Sequence, residues 1–137
     1  VPFADRPAAA TSATSFVVIA VGGAIGAGAR WATTELVDAA GAPHAPGVWP
    51  WATLIVNVVG CALIGLAARR LAIGTAAWAF AVTGVLGGFT TYSTFAVELN
   101  DLAEADRFPM AVCYGAVTIA AGVAATFVAH RPVEVGE

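Results

Sequence analysis

The polar residues of this chain are few, and most stand inside apolar sequence. The densest group lies between Gly87 and Phe95, GGFTTYSTF, where two adjacent glycines, four hydroxyl residues (Thr90, Thr91, Ser93, Thr94) and three aromatics (Phe89, Tyr92, Phe95) crowd together. Gly87-Gly88 favours an interruption of a helix, and neighbouring hydroxyls can satisfy the backbone groups it frees. Unwound carbonyls at such a place are common ion ligands. Thr53, Asn57 and Gly60 follow at spacings of four and three and so share one helix face. The Asn57 carboxamide needs partners for two N–H donors and one carbonyl: it either bonds a neighbouring helix, the reading its residue type favours, or lines a polar path. Tyr114 and Thr118 share a face with Gly122, as a polar stripe or as a packing face. Arg30 either snorkels to the interface or sets a fixed positive charge at the mouth of an anion path. Glu98 stands directly after the third apolar run, where an acid is ordinarily solvated. The chemistry open to such a set is the holding and passing of ions.

The elements that carry these residues follow from composition. The chain has 137 residues, 59% of them hydrophobic and 11% charged, with a mean hydropathy of +0.82. Soluble domains carry about a quarter charged residues, so an ordinary soluble enzyme is excluded. The basic residues are all Arg, the formal charge is -3, and no basic cluster exists to neutralise phosphates, which excludes nucleic-acid binding. Cys61 and Cys113 have neither CxxC spacing nor a nearby His and read as small core residues.

Four apolar runs, about 14–36, 49–68, 71–97 and 108–129, are each long enough to cross a hydrocarbon core of about 30 Å. The fold class expected is an all-α integral membrane protein with four transmembrane helices. The third run overshoots the core as one straight helix and must tilt or be broken near its centre. Residues 1–13 read as a flexible N-terminal tail, 14–130 as one four-helix channel domain and 131–137 as a C-terminal tail. Three further spans argue against reading the first as a secretory signal. Arg6, Arg69, Arg70 and Arg131 fall on one side and Arg30 and Arg107 on the other, a bias that places both termini in the cytoplasm only weakly and permits insertion both ways. Trp31, Trp49, Trp51 and Trp78 lie near span ends and read as interfacial anchors. Gly22 and Gly26, with Gly23 and Gly28, offer a close-approach surface, for intrachain packing or a subunit interface equally.

Three segments, GGAIGAGARW at Gly22 to Trp31, TLIVNVVGCALIG at Thr53 to Gly65 and GVLGGFTTYSTFAVE at Gly84 to Glu98, resemble the Fluc, or CrcB, family of small fluoride channels. With the Tyr114/Thr118 stripe, the resemblance covers about residues 16–130. It implies a multi-pass protein of the cell membrane that passively exports cytoplasmic fluoride and so reduces its toxicity, with no enzymatic activity. It also implies an antiparallel, dual-topology dimer with two pores along the interface. A central structural Na+ would be bound by the backbone carbonyls of Gly87 and Thr90 from both subunits. By the same resemblance Asn57 would donate amide hydrogens to fluoride, Tyr92 and Phe95 would hold the two aromatic-box positions, and Ser93, Thr94, Tyr114 and Thr118 would supply hydroxyls. Arg30 and Thr53 would lie towards a vestibule and Glu98 at the pore end.

Two positions depart from the family pattern. Tyr92 replaces the usual Phe, and Gly122 stands where a hydroxyl can continue the stripe. A homodimer is ranked ahead of an obligate heterodimer with a dissimilar subunit, which these departures leave open. A small multidrug-type dual-topology exporter ranks lower, because the first run has no acid before Glu35. Proton-coupled exchange lacks an acid at mid-membrane depth, and a helix-packing scaffold does not account for Asn57 and the third run.

Overall fold

Uninterrupted apolar sequence forms helices here because a chain in hydrocarbon must satisfy its own backbone groups. The computed structural model describes residues 13–42 and 45–131. The expected tail at 1–12 and most of the C-terminal one at 132–137 lie outside the described residues, as do Pro43 and His44. The described residues are all-α, without a strand: α1 (Ala13–Ala39), α2 (Trp51–Arg70), α3 (Ala76–Trp78), a π-helical segment (Ala79–Leu86), α4 (Gly87–Phe89), α5 (Tyr92–Glu104) and α6 (Phe108–His130). Four helical stretches are long and apolar enough to cross a membrane: Ala13–Ala39, Trp51–Arg70, Ala76–Glu104 and Phe108–His130.

The third stretch differs most from its sequence-based bounds. It begins at Ala76 instead of residue 71, because residues 71–75 turn through Gly74 at φ +89, and it continues past Val97 to Glu104. Charges after residue 97 mark polarity and not a helix end. Phe95, Glu98 and Leu102 recur at three and four residues and are all buried, so one face of α5 stays in the bundle. Asp106, in the left-handed region at φ 59, then turns the chain into α6.

The glycines of α1 are used within the chain. A Cβ at Gly22 would stand 2.6 Å from the Phe80 carbonyl oxygen and 3.0 Å from Gly84 Cα, and one at Gly26 would collide with the Val85 carbonyl. Backbone therefore lies on backbone between α1 and the π-helical segment. The other principal pairing sets α2 on α6, where Thr126 Oγ1 donates to the carbonyls of Cys61 (3.1 Å) and Gly122 (3.0 Å). A core cluster of Phe95, Leu102, Ala111 and Tyr114 fills the space between α5 and α6, with Trp49, Leu54, Leu99 and Met110 against it. Trp49 thus packs inward, and the reading of it as an interfacial anchor is corrected; Trp31 and Trp51 do project outward.

Helix alternation sorts the charges. Glu35, Asp38, Asp101, Glu104 and Asp106 gather at one end with Arg30 and Arg107. Arg69, Arg70 and Arg131 stand at the other end, which holds no acid among the described residues.

Candidate functional site

The sequence places Thr90 and Thr91 between α4 and α5, and both have extended backbone (φ -74, ψ 157 and φ -145, ψ 120). Gly87 and Gly88, the expected point of interruption, are helical. Gly88 is needed there for a different reason: a Cβ would meet the Gly23 carbonyl. Thr90 closes α4 by donating both its N–H (3.0 Å) and its hydroxyl (2.9 Å) to the Leu86 carbonyl. Thr91 opens α5 as its N-cap, its Oγ1 accepting the Thr94 N–H at 3.1 Å.

Asn57 on α2 fastens this junction. Its Oδ1 accepts the Thr91 N–H at 2.9 Å and its Nδ2 donates to the Thr91 carbonyl at 3.0 Å. One Nδ2 hydrogen remains, aimed from a side chain that two bonds hold still. Two carbonyls are released by the same arrangement. In a continuous α-helix the Thr91 N–H would go to Gly87 and the Thr94 N–H to Thr90, four residues back. Here the first goes to Asn57 and the second to the Thr91 hydroxyl, so neither carbonyl receives its helical donor. Such oxygens suit a hard cation. No group of three or more His, Cys, Asp or Glu side chains fit to hold a metal occurs among the described residues, so carbonyls are the available ligands.

Asn57 borders an open groove of about 620 Å³ between α2, α5 and α6, with Thr90, Tyr92, Phe95 and Thr118 along its walls. Tyr92 is 80% exposed, and its ring lies 6.0 Å from that of the buried Phe95. The Thr118 hydroxyl is buried and makes no hydrogen bond among the described residues. Gly122 stands where a Cβ would be 3.2 Å from Cys61 Sγ, so a longer hydroxyl side chain there would crowd α2.

Beyond Phe95 the groove ends on a buried carboxylate. Glu98 is only 3% exposed; its Oε1 accepts from Thr53 Oγ1 at 2.6 Å and its Oε2 from the Tyr114 hydroxyl at 2.7 Å. The expectation of a solvated acid at a span end is therefore overturned, because α5 does not end there. Tyr114, fully buried, spends its hydroxyl on Glu98. Thr53 also borders a second hollow of about 250 Å³ shared with Arg30, Trp31, Thr34 and Thr94.

Residues 17–130 match the family described as CrcB-like protein, Camphor Resistance (CrcB). The chain belongs to the CrcB family. Similar relatives include the fluoride-specific ion channel FluC of Hyphomonas neptunium, 38% identical over 118 residues that cover 82% of this chain and 90% of that one. FluC of Novosphingobium aromaticivorans is 40% identical over 119 residues, covering 85% and 91%. FluC 1 of Streptomyces coelicolor is 39% identical over 128 residues, covering 87% and 77%. With four membrane-crossing helices, this CrcB chain is a multi-pass protein of the cell membrane.

Within the CrcB chain, the structure brings Asn57, Tyr92, Phe95 and Thr118 to one groove and Arg30, Thr53 and Thr94 to the hollow on the other side of α5. Ser93 is exposed, its Oγ 3.3 Å from Thr91 Oγ1. Thr91, to which the sequence assigns no role of its own, is the pivot of the site. Its signal was the capping pattern of a hydroxyl three residues before Thr94.

Proposed function

We propose that this CrcB chain forms a fluoride-selective channel that lets cytoplasmic fluoride leave passively, with two antiparallel copies enclosing the pores. The observation that carries this reading is the doubly bonded Asn57, whose remaining N–H is held at a groove walled by Tyr92 and Phe95 and by the unpaired Thr118 hydroxyl. Fluoride is small and strongly hydrated. A path for it must replace water with donors yet not bind it tightly, and a fixed amide hydrogen, hydroxyls and the positive edges of aromatic rings supply weak contacts in series.

Half of such a path lies open along one chain. Tyr92, mostly exposed, needs a cover in the membrane, and a second copy is the occupant that charge favours: inverted, it sets the Arg69, Arg70 and Arg131 end beside the acidic end. The oxygens of Gly87 and Thr90, freed from the helix ladder, would hold the central Na+ together with their counterparts; that ion neutralises the facing carbonyl dipoles. The weak Arg asymmetry suits insertion both ways, and a dissimilar partner of fixed orientation is the second form of the same reading. A multidrug-type exporter is disfavoured because α1 carries no acid before Glu35.

The test is reconstitution of the single chain in liposomes, with fluoride efflux followed by electrode and chloride efflux as control. Fast release of fluoride alone is expected. Absence of release from folded protein would reject the homodimeric channel, and release restored only by a dissimilar CrcB subunit would establish the paired form.

A further inference from the structure

We propose that the indole N–H of Trp49 is an additional anion donor, the last that a fluoride ion meets as it leaves past Tyr114 into the hollow beneath the α1–α2 connection. The inference rests on the fluoride-channel reading and extends its path to a residue that reading does not use.

Trp49 Nε1 is buried and has no hydrogen-bond partner. Proteins rarely leave a buried donor unmatched, and the exceptions point to a water, an ion or a functional task. Its surroundings select among these. The Trp49 ring stands edge-on to Tyr114 (centroids 5.6 Å, 79°), Tyr114 lies 5.4 Å from Phe95, and Phe95 lies 6.0 Å from Tyr92. The aromatic series that begins at the exposed Tyr92 in the groove therefore continues without a gap to Trp49. There it opens on a cavity of about 200 Å³ bordered by Trp49, Pro50, Ala52, Glu98 and Asp101. At roughly 30 Å³ per water, a small ion with several waters fits.

The electrostatics are those of an exit. Pro50 precedes the 20-residue α2 and supplies no capping side chain, so the positive end of that helix also borders the cavity. Against these donors stand Asp101 and Glu98, the latter with both oxygens already accepting bonds from Thr53 and Tyr114. Donors draw the ion in and carboxylates shorten its stay, which a conducting path requires. A compact, strongly hydrated anion meets a single N–H well, whereas a larger halide meets the same carboxylates without recovering its hydration.

Trp49→Phe keeps a ring against Tyr114 and removes only the N–H. In liposomes its fluoride efflux is expected to fall about tenfold, the effect of losing one hydrogen bond to a charged group. The full chain labelled with ¹⁵N in its indoles gives a second readout that needs no variant to conduct: the Trp49 N–H resonance should move on titration with sodium fluoride and stay still with sodium chloride. Its resonance is identified by absence from the Trp49→Phe spectrum or, if that variant does not fold, by elimination with Trp31→Phe, Trp51→Phe and Trp78→Phe. Parental efflux in folded Trp49→Phe, or a Trp49 resonance unmoved by fluoride in a conducting protein, overturns the proposal and leaves the channel reading intact. If the wild-type chain conducts no fluoride and the resonance is silent, both fall.

Discussion

The Asn57 carboxamide and the Thr91 peptide pair face to face, each giving one N–H and accepting one, at 2.9 and 3.0 Å. A side chain on α2 thus takes the place of the helical neighbours that Thr91 lacks. The same two bonds fix where the spare amide hydrogen points. Positioning of the groove's donor and satisfaction of the α4–α5 junction are one interaction.

Asn57→Asp separates the two roles. Aspartate keeps an acceptor for the Thr91 N–H but offers no hydrogen to the Thr91 carbonyl, and it sets a negative charge on the groove. Fluoride efflux is expected to be abolished, with about 1–3 kcal/mol of stability lost through the unpaired carbonyl. Efflux by electrode and elution as an assembled species check the two parts, and undiminished efflux would remove Asn57 from the path.

Glu98→Gln tests the buried carboxylate. Thr53 and Tyr114 both donate to it, and a carboxamide accepts at one oxygen while presenting N–H to the other donor. A loss of about 1–3 kcal/mol is expected, read as a lower unfolding temperature in detergent. Thr53→Val in the Gln background should then lose less than in the parent, because the two changes share a bond.

Gly26→Ala and Gly28→Ala form a matched pair. A Cβ at Gly26 meets the Val85 carbonyl and stands 2.8 Å from the Phe89 amide nitrogen, whereas one at Gly28 meets nothing within 4 Å. The first should cost about 1–3 kcal/mol by overpacking. The second should gain about 0.5–1 kcal/mol, because alanine is the better helix residue. Thermal unfolding of both variants gives the comparison.

Tyr92→Phe and Phe95→Ile separate the exposed ring from the buried one. The Tyr92 side chain is 80% exposed, so Tyr92→Phe should change stability by no more than about 0.5 kcal/mol and leave efflux at or above the parental rate. Phe95 lies between Tyr92 and Tyr114, and Phe95→Ile should lower efflux by removing the ring edge from the middle of the series. A fall with Tyr92→Phe would show that the phenol itself coordinates the ion.

Most of the helical architecture was legible in the sequence, because long apolar runs admit few alternatives in a membrane. The end of the third helix was not. Glu98 and Asp101 look like a span boundary when charge is read along the chain, yet one face of α5 is buried through Leu102 and Glu98 finds two donors on other helices. Asn57 was legible as a buried carboxamide, but its partner was not. Nothing in a string of four hydroxyl residues tells that the peptide of Thr91, and not its side chain, would take both bonds. Trp49 was misread for a similar reason: nearness to a span end is a one-dimensional property, and only the fold of residues 45–50 turns the ring inward.

The π-helical segment at Ala79–Leu86 has a bearing on how this gene can change length. Its wider coil carries more residues per turn than an α-helix, and the close backbone contact at Gly22 and Gly84 holds that coil in place. Deleting a single residue between positions 79 and 86 would let the stretch tighten into α-helix, turning everything after it by about 100°. Thr91 would then face away from Asn57, although every residue of the site would still be present. Length in this stretch is therefore under stricter control than residue type, and a one-codon loss there should be as damaging as loss of the site itself.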